Sequence, residues 1–76
     1  MSGLRQRFGS AVRQRREELR WSQEVLADRA ILNRSYRGEV ERGSVVPSLA
    51  TMNKLAVALE LRLSVLLARC EEGELL

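Results

Sequence analysis

Apolar residues along this chain recur at intervals of three and four, the period of helices packed on one side and wet on the other. No stretch alternates apolar and polar as a half-buried strand would. Five helices follow from that pattern. Phe8, Val12 and Leu19, with Ala11 between them, draw the stripe of a first helix from about Arg5 to Leu19, with Arg13, Arg16, Glu17 and Arg20 on its wetter sides. Ser22 is a suitable N-cap for a short second helix through Arg29, on which Val25, Leu26 and Ala30 face inward. Asn33 caps a third, whose apolar positions Tyr36 and Val40 are four apart and which Gly43 is placed to end. After the loop "GSVVP", Pro47 and Ser48 mark the entry to a fourth, from Leu49 to about Leu59. Here Leu49, Met52, Leu55, Ala56 and Leu59 hold helical spacing. A fifth starts after Ser64 with Val65, Leu66 and Leu67, and the acidic tail "EEGELL" is expected to fray.

At 76 residues and 8.6 kDa the chain reads as one domain, 1–76, with its core at about 5–70. That is close to the size at which a single core barely outweighs the entropy of folding, so a second copy or a partner is expected. Leu61, Leu63, Val65 and Leu66 are apolar beyond what such a monomer needs to bury, which makes helices four and five the expected dimer seam; alternatively, they only close the core over the first helix. With 45% apolar and 30% charged residues of mixed sign, the chain has the composition of a folded domain.

The chain has no histidine and a single cysteine, Cys70, so no internal disulfide, zinc cluster or histidine-based catalysis can be assembled. Nor does any nucleophile–base pair or phosphate loop present itself, so an enzyme, a metal and a cofactor are not expected. Apolar runs fall well short of the roughly 20 residues of a membrane span, and the N-terminus lacks a signal-peptide core, which points to the cytoplasm. The net charge of +3 is unevenly placed: residues 1–44 carry ten arginines against six acids, and residues 45–76 three basic groups against four acids. The basic half is the candidate contact surface. Twelve of the thirteen basic residues are arginine, the side chain whose fork matches phosphate and guanine. A solvated helix face would have the same composition.

Two short helices joined only by "ILN" have the dimensions of a helix-turn-helix, whose second helix fits a DNA major groove about 12 Å wide. The segments "SQEVLADRA", "NRSY", "VERG" and "PSLATMNKLAVAL" resemble the Xre/Cro-type helix-turn-helix domain of phage repressors and small bacterial regulators, over roughly residues 8–69. Within that group "NRSY..EVERG" is most similar to the controller proteins of restriction-modification systems. The resemblance implies an all-α, compact five-helix, lambda-repressor-like domain with its helix-turn-helix in helices two and three. It further implies a homodimer that binds double-stranded DNA at a near-palindromic operator in the bacterial nucleoid and regulates transcription. Stand-alone phage-type repressors and antitoxins share the domain, and a helical protein-interaction module is the alternative from another class.

Residue by residue, the resemblance assigns DNA base contacts to Arg34, Ser35 and Glu39, and backbone contacts to Ser22, Gln23, Tyr36, Arg42 and Ser44. Each has a plainer reading: Ser22 and Gln23 as a helix cap, Arg34 as an exposed first-turn cation, Tyr36 as packing, Arg42 as a cation favoured by the helix dipole. Arg16 and Glu41 match a structural ion pair between the first and third helices. Glu24 or Asp28 match the acidic residues with which activating relatives touch RNA polymerase.

The chain departs from the family pattern at four places. Arg20, Ile31 and Glu60 stand where glycine usually closes a helix, and a β-branched isoleucine at positive φ is strained. Either the turn after Ala30 takes another geometry or the domain loses stability there. Arg37 replaces a buried aliphatic residue, with Glu41 four positions on as one possible partner; it is also a possible extra DNA contact. Gly38 fits a face that must come close to DNA.

Overall fold

The computed structural model describes residues 3–31 and 34–75, the side chains of residues 34–37 and 72–75 excepted. Among the described residues there are five helices and no strand: α1 (Leu4–Glu18), α2 (Gln23–Ala30), α3 (Arg34–Arg42), α4 (Leu49–Ala58) and α5 (Leu63–Leu75). The helices pack in a ring: α1 lies on α5 and α3, α2 on α3 and α4, and α4 on α5. Leu26, Leu55, Leu59, Leu66 and Val12 are fully buried, joined by Phe8, Ala30, Val40 and Cys70. Each large aliphatic among them contributes about 1.5–3 kcal/mol of burial.

Local chemistry sets most of the boundaries. Ser22 Oγ accepts from the Val25 N–H at 3.2 Å and Ser48 Oγ from the Thr51 N–H at 3.1 Å, so each caps a helix start. Three helices close in the same way. After α1, Trp21 N–H donates to Arg16 O and Arg20 N–H to Glu17 O; after α3, Ser44 N–H donates to Glu39 O and Gly43 N–H to Val40 O; after α4, Leu61 N–H donates to Ala56 O and Glu60 N–H to Val57 O. These are Schellman closures, which need a left-handed residue just past the helix. Arg20 (φ 61°), Gly43 (φ 73°) and Glu60 (φ 62°) take that conformation, and Ile31 (φ 54°) takes it after α2. The glycine-type turns are therefore kept at Arg20, Ile31 and Glu60, with the strain carried by the side chain that stands there.

Several expectations change in three dimensions. Val25 and Leu49, placed inward by spacing, are exposed, and Ala27 is buried in place of Val25. A helix of eight or ten residues touches the core along a stripe narrower than its apolar positions cover. Helix α5 begins at Leu63, ahead of Ser64, and is assigned to Leu75. Leu66, expected in a dimer seam, has no exposed surface and lies in the monomer's own core, so it cannot take part in one. Cys70 is likewise a core residue. Its thiol donates to Leu66 O at 3.4 Å, and burial raises its pKa, with the nearby positive charge of Arg7 acting in opposition.

Arginines tie the layers together outside the apolar core. Arg15 Nε donates to Leu59 O at 3.0 Å, capping the end of α4. Glu18 accepts from Arg69 at 3.0 and 3.1 Å and from Arg15 at 3.3 Å, joining α1 to α5. The hydrogen bond from Arg69 leads the effects that lower the Glu18 pKa.

Candidate nucleic-acid interface

The elements expected to meet DNA are α2, α3 and the loop after α3. What holds them in place is a network on the inner side of α3. Arg16 grips Glu41 with two parallel hydrogen bonds, Nε to Oε2 at 2.9 Å and Nη2 to Oε1 at 3.1 Å, and its Nη1 donates to Trp21 O at 2.8 Å. Only 12% of the Arg16 side chain and 4% of the Glu41 side chain reach solvent, so the pair is largely desolvated and its worth lies in fixing orientation more than in adding stability. Glu41 Oε1 also accepts from Gln23 Nε2 at 3.1 Å. One carboxylate thus connects α1, the first residue of α2, and α3. Trp21 holds this junction from the other side through its carbonyl, while the Arg29 guanidinium stacks 4.4 Å above its ring.

Close backbone approach completes the anchoring. Gly9 on α1 faces the carbonyls of Val40 and Glu41 so tightly that any Cβ would overlap them. At the other end of the contact, a Cβ on Gly43 would come within 2.6 Å of Gln6. Both glycines let α3 lie directly against α1, with Val40 buried between them. Neither Gly9 nor Trp21 figures in the sequence reading: Gly9 sits unmarked in the polar run of α1, and the contribution of Trp21 comes from its backbone.

The outward side of α3 follows from the inward one. With Val40 buried, helical spacing puts positions 34, 35, 38 and 42 on the opposite face and position 39 at its edge. Two of the expected base contacts, Arg34 and Ser35, belong to this face by register. Their side chains, with those of Tyr36 and Arg37, lie outside the described residues, as does the expected cap Asn33. Glu39 is half-buried, and Arg42 and Ser44 are exposed.

The expected backbone contacts have engagements of their own. Ser22 caps α2, and Gln23, exposed at the helix start, is held by Glu41. Ser44 directs both of its donors, the N–H at 2.9 Å and the hydroxyl at 3.0 Å, to Glu39 O, and so finishes α3. Of the expected seam, Leu61 and Leu63 are half-buried against the core and Val65 is 43% exposed; Val57 on α4, absent from the sequence reading, is 67% exposed. No group of three or more potential metal ligands occurs among the described residues, and no described helix is long and apolar enough to cross a membrane.

Comparisons with known proteins agree with this geometry. A family model described as a helix-turn-helix domain matches residues 7–70. No curated protein sequence matches the chain. Among solved structures, the restriction-modification controller protein C.AhdI from Aeromonas hydrophila is 43% identical, with 80% of this chain and 92% of that one covered and a TM-score of 0.78. A hypothetical transcription factor, NHTF, from Neisseria is 33% identical over 97% of this chain and 86% of its own, with a TM-score of 0.84. The controller protein C.Esp1396I, solved as a tetramer in complex with its natural 35-base-pair operator, is 24% identical over the full length of both chains and shares the fold, with a TM-score of 0.91. The chain belongs to the helix-turn-helix family of DNA-binding transcription regulators, in its restriction-modification controller group.

Proposed function

We propose that this protein binds a near-palindromic operator as a homodimer and regulates transcription of a restriction-modification system. The observation that carries the reading is the fixing of α3. Its inner side is fastened to α1 through Gly9, Val40 and the Arg16–Glu41 pair, while its outer side carries exposed Arg42, half-buried Glu39 and Gly38, which is buried with the Arg42 head against it, in register with Arg34 and Ser35. A helix held so firmly on one side, with polar and charged residues on the other, is suited to entering a major groove.

In this reading Arg34, Ser35 and Glu39 meet base edges, while Gln23, Tyr36 and Arg42 meet the backbone near the ends of α2 and α3. Ser22 and Ser44 act by capping the helices that carry those contacts. Arg37 is a further contact beside the groove. The dimer seam runs over Leu61, Leu63 and Val65 with Val57, placing two α3 helices about 34 Å apart, one turn of DNA. The protein acts in the bacterial cytoplasm, at the nucleoid, without catalytic chemistry, and Glu24 or Asp28 touches RNA polymerase where binding activates transcription.

A gel-shift titration tests this, with the duplex upstream of the protein's own gene and an unrelated duplex, each at two salt concentrations. Selective binding that weakens as salt rises is the expected result. Binding that ignores sequence, or none at either salt, would instead fit a helical protein-interaction module.

A further inference from the structure

Arg42 occupies the last turn of α3, where an arginine ordinarily extends past the helix end toward the terminal carbonyls. Here two of those carbonyls are already served: Val40 O takes the Gly43 N–H, and Glu39 O takes the Ser44 N–H and hydroxyl. The Arg42 side chain turns back instead. Its Nη1 lies 3.1 Å, and its Cζ 3.9 Å, from where a Cβ on Gly38 would be. Side chains on a helix lean toward its N-terminus, and Gly38 is one turn earlier on the same face. The charged head therefore sits about 5.4 Å back along the axis from its own Cα, over the middle of the outward face. It makes no hydrogen bond or ion pair with a described residue.

We propose that Arg42 is a base-reading, specificity-determining residue, and that Gly38 provides the gap in which its guanidinium lies. This rests on the DNA-binding reading above and changes the backbone role given to Arg42 there. The physical reason is position. Phosphates flank a helix in the major groove, whereas the middle of its outward face comes nearest the base edges. A guanidinium there presents paired N–H donors to guanine O6 and N7. Glycine at 38 leaves space for the arginine head, which lies over it: Gly38 is buried although it faces away from the core. Glu39, at the edge of the same face, disfavours a phosphate close by.

The test is selection from randomised double-stranded oligonucleotides by the full-length protein, wild type and as Arg42→Lys, Arg42→Ala and Gly38→Ala, followed by titration of the selected duplex across a salt series. The wild type is expected to recover a consensus with a fixed G·C pair in each half-site. Arg42→Lys keeps the charge and loses the fork, so it should lose that one base preference, by about 5- to 150-fold in discrimination, with the salt slope unchanged. Gly38→Ala should weaken the same preference while unfolding at no lower a temperature, since alanine favours the helix. The inference is overturned if Arg42→Ala retains every base preference and binds all sequences uniformly more weakly, with a salt slope smaller by about 1, the signature of a phosphate contact. Failure of the wild type to select any consensus would instead remove the DNA-binding reading itself.

Discussion

Helix α3 and the approach to it are built differently. Its C-terminal half is fastened: Gly9 against two carbonyls, Val40 buried, Glu41 gripped at two points by Arg16, and Gly43 closing the helix with room only for a hydrogen. The approach to its N-terminal end runs through Ile31, a β-branched residue held at φ 54° with 86% of its surface exposed. One end has excess constraint and the other stores strain. Among the described residues, the anchoring of α3 lies in its C-terminal half, and the strained backbone lies at Ile31 on the approach to it.

The largest expected effect comes from breaking the fastened end. Gly9→Ala forces a methyl into the backbone of α3, which cannot shift as a side chain would, and should cost about 3 kcal/mol or more. Urea unfolding monitored by circular dichroism reads that loss directly; a variant as stable as wild type would mean that α1 and α3 are not in backbone contact. Next in size is Glu41→Ala, which leaves the Arg16 guanidinium with Trp21 O and a narrow solvent edge. About 2 kcal/mol is expected, below the ~3–5 kcal/mol of a fully buried pair. Because Gln23 loses its hydrogen bond to Glu41 as well, DNA affinity should fall further than unfolding alone explains. Equal affinity per folded molecule would show that Glu41 orients nothing.

The strained end should respond in the opposite direction. Ile31→Gly removes the Cβ penalty at positive φ, worth about 1–2 kcal/mol, against about 0.5–1 kcal/mol for the added freedom of the unfolded chain. A net gain of about 1 kcal/mol, seen as a raised Tm, is the expected outcome. A lowered Tm would place a packing role on Ile31 that its exposure does not suggest.

Much of this was legible beforehand, and for identifiable reasons. Ser22, Gly43 and Ser48 declare helix ends because their chemistry acts on neighbouring backbone. Phe8, Ala11, Val12, Leu55 and Leu59 keep one face through their whole helices, so period alone found them. Leu66 and Val65 did not separate so easily: both are apolar and adjacent, and only the angle at which α5 meets α1 decides that one is core and the other surface. Val25 and Leu49 failed for the same reason.

Local sequence was sufficient for the number, order and capping of the helices, because those depend on residues within a turn of one another. It also carried the likeness to a helix-turn-helix and the places where glycine is missing. The site was a different matter. That Glu41 serves Arg16 and Gln23 together, that Gly9 admits the backbone of α3, and that Arg42 lies back over Gly38 were settled by packing. The first two join residues distant in sequence whose meeting depends on how helices cross. The third depends on a helix end closed by Gly43 and Ser44, with the arginine lying back along the outward face of α3.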